Sequence, residues 1–130
     1  MARVLVLDDN AVNRELIHQI LEPFGYEVTS FGTVAEALAH TREIHPDLIL
    51  SDLYLPDESG YDFLYAVRHD DELRSIPFIL MTSFYRHNQE TALALGATDF
   101  VYRPIEPEAL LEVVRKTLSG GGDRAKDFDC

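Results

Sequence analysis

The sequence predicts an α/β chain of the doubly wound kind, a (βα)5 sandwich whose five-stranded parallel sheet carries helices on both faces. Three observations lead there. Short apolar runs alternate with longer amphipathic segments, five times along the chain. The runs Val4-Leu5-Val6-Leu7 and Leu48-Ile49-Leu50 are apolar without alternation, as strands covered on both faces are. Gly25, Pro46 and Gly96 fall where an amphipathic segment gives way to the next apolar run.

Each element follows in order. Val4-Leu5-Val6-Leu7 is the first strand. Asn10 caps a first helix that carries Leu16, Ile17, Ile20, Leu21 and Phe24 on one face and stops at Gly25. Residues 26–31 form the second strand. Thr33 and Glu36 make a capping-box pair that opens a helix through Leu38 to about residue 44. Pro46 ends it, and Leu48-Ile49-Leu50 is the third strand.

The turn-rich stretch Pro56-Asp57-Glu58-Ser59-Gly60 leads into a helix with Phe63, Leu64 and Val67 inward. Residues 76–81 form the fourth strand. A weakly patterned helix over 89–95 ends at Gly96, and residues 98–102 are the fifth strand. Pro107 suits the first turn of a last helix, with Leu110, Leu111, Val114 and Leu118 inward. The chain reads as one domain over residues 1–118. Ser119-Gly120-Gly121-Gly122 then opens a flexible tail or linker over 119–130, an ending that suits a domain cut from a longer chain.

Composition narrows the function. The chain has 130 residues and a formal net charge of −12, which argues against a nucleic-acid groove, since such grooves need clustered Lys and Arg. No apolar run approaches the roughly 20 residues that a membrane span requires. Met1-Ala2-Arg3 enters a strand directly, without a secretory leader, so the expected location is cytoplasmic. Cys130 is the lone cysteine, which excludes an internal disulfide. His18, His40, His45, His69 and His87 are scattered without zinc-ligand spacing and read as solvated polar residues.

In an open parallel sheet, functional residues gather beyond the carboxyl ends of the strands. Asp8 and Asp9 follow the first strand, Asp52 the third, Thr82 closes the fourth and Arg103 follows the fifth. Either acidic stretch alone would read as a helix cap or a turn. All five groups at successive strand ends are harder to obtain by capping. Three neighbouring carboxylates repel one another unless protonated or joined by a cation. A hard cation that keeps several waters, Mg²⁺ with Mn²⁺ as a substitute, suits them. With a carboxylate nucleophile, a hydroxyl donor and a fixed cation, the set suits phosphoryl transfer.

These residues are where the chain resembles the response-regulator receiver family, the CheY-like domains, over about residues 3–118. The resemblance rests on Asp8-Asp9, on Ser51-Asp52-Leu53-Tyr54-Leu55-Pro56 and Pro56-Asp57-Glu58-Ser59-Gly60, on Thr82-Ser83, and on Gly96-Ala97-Thr98-Asp99-Phe100 before Arg103-Pro104. It implies strand order 2-1-3-4-5 and a signalling switch rather than a metabolic enzyme. Asp52 would be the phosphoacceptor. Asp9, Asp52 and the Tyr54 backbone carbonyl would hold Mg²⁺, with Asp8 joining through a water. Thr82 and Phe100 would be switch residues, and Pro104 would follow a cis peptide.

The implied partners are a histidine kinase or a histidine phosphotransfer protein, and an output domain or target. A homodimer through the fourth helix, fifth strand and fifth helix is a further expectation. The opening Asp8-Asp9-Asn10-Ala11-Val12-Asn13-Arg14 resembles receivers fused to hybrid sensor kinases somewhat more than those of transcription factors, and many single-domain receivers share it.

The chain departs from the family pattern at Arg103, where the pattern has Lys. Arg is planar and forked, while Lys is a compact point charge. Arg103 is expected to grip phosphoryl oxygens, or to engage the free carboxylates and slow the switch. Tyr54 and Phe84, each two residues past a site residue, are bulky and expected to modulate water access, together with Ser83. Phe84-Tyr85-Arg86-His87 is a candidate output segment. Among rivals, a haloacid-dehalogenase-type phosphatase wants a second, titratable acid where Asn10 stands. An FMN binder would place its phosphate against Asp8-Asp9. A pseudo-receiver, the same fold used as an unphosphorylated interaction module, draws support from Arg103 alone.

Overall fold

The computed structural model describes residues 2–82 and 87–129. Its elements alternate along the chain: β1 (Arg3–Leu7), α1 (Ala11–Leu21), β2 (Glu27–Phe31), α2 (Val34–Ile44), β3 (Leu48–Asp52), α3 (Gly60–Arg68), β4 (Phe78–Thr82), α4 (His87–Leu95), β5 (Asp99–Tyr102) and α5 (Pro107–Asp129). All strand pairs are parallel and the order is β2-β1-β3-β4-β5. The α/β doubly wound class and the strand order are those expected.

Side-chain alternation divides the sheet into two cores. Leu5, Leu7, Ile49 and Leu80 face one side, where Ala37 of α2, Phe63, Leu64 and Val67 of α3, and Ala92 of α4 cover them. Val4, Val6, Leu48, Leu50 and Ile79 face the other, against Ile17, Ile20 and Leu21 of α1 and Leu110, Leu111 and Val114 of α5. Every residue of β3 and β4 is buried, which is why these strands read as continuous apolar runs.

Capping chemistry sets where helices begin. The Asn10 side chain accepts from the amides of Val12 (2.8 Å) and Asn13 (3.0 Å). Thr33 Oγ1 accepts from Glu36 N at 3.2 Å. Ser59 and Asp62 form a reciprocal box at α3 that the sequence reading passed over.

Two expectations are corrected. Phe24 is 61% exposed rather than inward, because Pro23 tightens residues Glu22–Phe24 into a 3-10 turn that rotates Phe24 off the helical stripe. His18 is not simply solvated: its ring bonds Ser30 Oγ at 2.9 Å and Glu22 Oε2 at 2.9 Å, tying α1 to β2.

α5 continues past Leu118, where the sequence places the end of the body; its inward residues Leu110, Leu111 and Val114 lie before that point and Leu118 at it. No helix among the described residues is long and apolar enough to cross a membrane.

Candidate functional site

Sheet geometry brings the acidic residues to one edge. The register pairs Leu7 with Ser51 and Asp52 with Met81, so Asp8 stands beside Asp52, and Thr82 lies one residue past Met81. Asp8 N donates to Phe31 O at 3.0 Å, and Asp8 Oδ1 accepts from Asn10 N at 2.9 Å. Arg14 Nη1 donates to the Asp8 carbonyl at 2.6 Å, fastening the β1 end to α1. Asp8 and Asp52 are buried and Asp9 is exposed at the mouth. Carboxylate oxygens of the three lie within 4.8 Å of one another.

Arg103 reaches this cluster from the end of β5. Its backbone N–H donates to Thr82 O at 2.9 Å, and the Arg103–Pro104 peptide is cis. Its guanidinium Nη2 stands 2.5 Å from Asp8 Oδ2 and 3.4 Å from Asp52 Oδ1. Arg103 thus bridges two of the three carboxylates, Asp8 and Asp52. Burial pushes the Asp52 carboxyl above its usual value of 3.8; Arg103 opposes that, Asp8 adds to it, and the Tyr54 N–H bonded to the carboxylate opposes it. Burial wins, which eases protonation of Asp52; formally the three carboxylates outnumber the one guanidinium, Arg103, that pairs with them among the described residues. Clustered hard oxygen donors with one open, exposed member suit a divalent cation such as Mg²⁺.

The remaining residues are placed as follows. Thr82 is buried at the close of β4, beside Arg103. Tyr54 is 54% exposed while its backbone N–H is bonded to the Asp52 carboxylate. Phe100 is partly buried against the α2–α3–α4 core and lines a surface cleft with Arg103, Pro104 and Val113. Ser83 and Phe84, with Tyr85 and Arg86, lie outside the described residues.

Sequence reasoning missed Gly60 as a positioning residue. Its N–H donates to Leu53 O at 2.7 Å, and a Cβ there would stand 2.2 Å from Asp52 O. The signal was present as a glycine directly after a Ser helix cap. Arg14 and Glu58 were missed too, since nothing local shows that either reaches another element.

Residues 4–115 match the family model described as the response regulator receiver domain. The polar-differentiation response regulator DivK of Brucella ovis is 34% identical over 116 residues, 88% of this chain and 94% of that protein. Among solved structures, the chemotaxis response regulator CheY4 of Vibrio cholerae superposes with a TM-score of 0.86 at 32% identity, covering 91% of this chain and 99% of that one. The receiver domain of the sensor histidine kinase PA1611 of Pseudomonas aeruginosa, solved with a magnesium ion in its active-site cleft, gives 0.82 at 26% identity over 91% and 98%. With the parallel sheet, the acidic edge and these matches in agreement, the chain belongs to the response-regulator receiver family, with a signalling rather than a metabolic role.

Proposed function

We propose that Asp52 accepts a phosphoryl group from the phosphohistidine of a histidine kinase or histidine phosphotransfer protein. A carboxylate oxygen of Asp52 attacks phosphorus, the P–N bond breaks, and the imidazole leaves with the electron pair and takes a proton. The observation that carries this reading is the convergence of carboxylate oxygens of Asp8, Asp9 and Asp52 within 4.8 Å, with Arg103 paired to Asp8 and Asp52. Mg²⁺, or Mn²⁺ in its place, supplies charge neutralisation when bound, with Asp9, Asp52, the Tyr54 carbonyl and a water on Asp8 as its holders. Arg103 contacts phosphoryl oxygens in exchange for its carboxylate contacts. Thr82 donates its hydroxyl to the phosphoryl group and Phe100 follows, altering the output surface.

The reading extends to the whole chain. Residues 1–118 are the receiver body and 119–130 a tail or linker to an output domain or target, in the cytoplasm, with no nucleic acid or membrane bound by this body. Copies pair through α4, β5 and α5. The ion bridge from Arg103 to two carboxylates favours a second reading, a pseudo-receiver that works unphosphorylated.

Incubation with Mg²⁺ and a small phosphodonor, or with beryllofluoride, separates the readings. A mass increase of one phosphoryl group that disappears in Asp52→Asn is expected. An inert native chain would overturn the proposal in favour of the pseudo-receiver, and turnover of generic phosphate esters would favour a phosphatase.

A further inference from the structure

Resting on the phosphoacceptor reading, we infer that Glu58 is a positioning residue for the Asp52 site, acting through the turn that follows β3. That turn starts at Tyr54, whose N–H is bonded to the Asp52 carboxylate. Its near end is well fastened. Tyr54 and Ser59 form an antiparallel bridge, Leu55 N donates to Glu58 O at 3.2 Å, and Gly60 N donates to Leu53 O at 2.7 Å.

The tip is held differently. The Glu58 side chain crosses to another element, where Oε2 accepts the backbone N–H of Val34 at 2.9 Å in a partly buried setting. Val34 is the first residue of α2, so its amide has no partner within the helix, and the helix dipole favours an anion there. Thr33 already serves Glu36 N at the same helix end. Glu58 is thus a second, long-range cap.

Strand order gives the bond its consequence. β2, which feeds α2, and β3, which feeds the turn, flank β1, whose end carries Asp8 and Asp9. The Glu58–Val34 bond therefore joins the chain segments leaving the two strands on either side of the acidic cluster. Pinning the tip fixes where Tyr54 presents its backbone to Asp52. Groups one step removed from metal-binding atoms act in this way, by orienting them. A turn free at its tip would sample other positions, and the cation would have to order it on binding.

Calorimetric titration of the full chain with Mg²⁺ tests this, using Glu58→Ala, Glu58→Gln and Thr33→Ala. Glu58→Ala is expected to bind Mg²⁺ about tenfold more weakly, the lower end of what outer partners of metal ligands carry. Glu58→Gln, which keeps an acceptor oxygen but loses the charge, should stay within about twofold of the native chain, because the hydrogen bond and not the charge does the positioning. Thr33→Ala weakens the start of α2 without touching the turn. It should lower the melting temperature and leave the affinity unchanged.

Equal losses in Glu58→Ala and Thr33→Ala would reduce Glu58 to a helix cap, and equal losses in Ala and Gln to a through-space charge; either overturns the inference. So does unchanged affinity in Glu58→Ala while the native chain binds. A native chain that takes up no Mg²⁺ overturns the phosphoacceptor reading, and this one with it.

Discussion

At the scale of single residues, Arg103 decides the character of the site. One guanidinium nitrogen lies 2.5 Å from Asp8 and 3.4 Å from Asp52, so an incoming cation or phosphoryl group meets carboxylates already engaged. A hydrogen bond between charged groups is worth about 1.5–3 kcal/mol. Arg103→Lys replaces the fork with a compact ammonium that bridges two carboxylates less well. Phosphorylation from a small donor at fixed Mg²⁺ should then be about tenfold faster, the kinetic equivalent of the lower end of that range; identical rates in native and variant chains would remove the idea. Tyr54 acts at the same scale but on water. Tyr54 is 54% exposed and its backbone N–H bonds the Asp52 carboxylate, so Tyr54→Asn is expected to shorten the lifetime of the phosphorylated form. An unchanged lifetime would leave Tyr54 a backbone contributor only. The sequence named both residues as unusual. It could not show Arg103 paired with Asp8, 95 positions away, because no local signal records such a meeting.

At the scale of elements, the junction of β3 and α3 carries the site. Gly60 begins α3 with its backbone against Asp52, where an added Cβ would fall 2.2 Å from Asp52 O and 3.0 Å from the Leu53 Cα. Both are backbone atoms, so relief requires the strand end or the helix start to move. Gly60→Ala should cost about 1–3 kcal/mol, the range of overpacking, read as a fall in the denaturant midpoint. The sign is diagnostic, since Ala is otherwise the better helix former; a stabilised variant would show that the junction yields. A second junction depends on Arg68, whose guanidinium donates to the carbonyls of Gly96 (2.9 Å), Arg74 (3.0 Å) and Ile76 (2.8 Å). It joins the end of α3, the approach to β4 and the end of α4, and nothing in the local sequence announces it. Element identity was legible because apolar period and caps are local properties. Phe24 was misread because Pro23 changes the helical pitch after the periodic stripe has ended.

For the whole molecule, the sheet makes a site from residues that are distant in the chain and leaves it with surplus negative charge. A ligand that binds only the folded form stabilises it by mass action. Mg²⁺ at about 100 times its dissociation constant should add about 2.7 kcal/mol, seen as a rise in melting temperature. The rise should largely vanish in Asp52→Asn, and an equal rise in that variant would place the ion elsewhere. The five βα units, their order along the chain and the polar residues at each strand end were legible in the amino acids alone, because hydrophobic period, helix caps and glycine stops act over a few residues. Assembly of the sheet adds that Asp8 is fully buried, that Arg103 pairs with it, that Glu58 reaches the Val34 amide, and that Gly60 lies against the Asp52 backbone. Those facts depend on which strands lie side by side and how closely backbones approach. Asp52 was readable as a residue type at a strand end, whereas its working environment exists only once β1, β3, β4 and β5 are assembled.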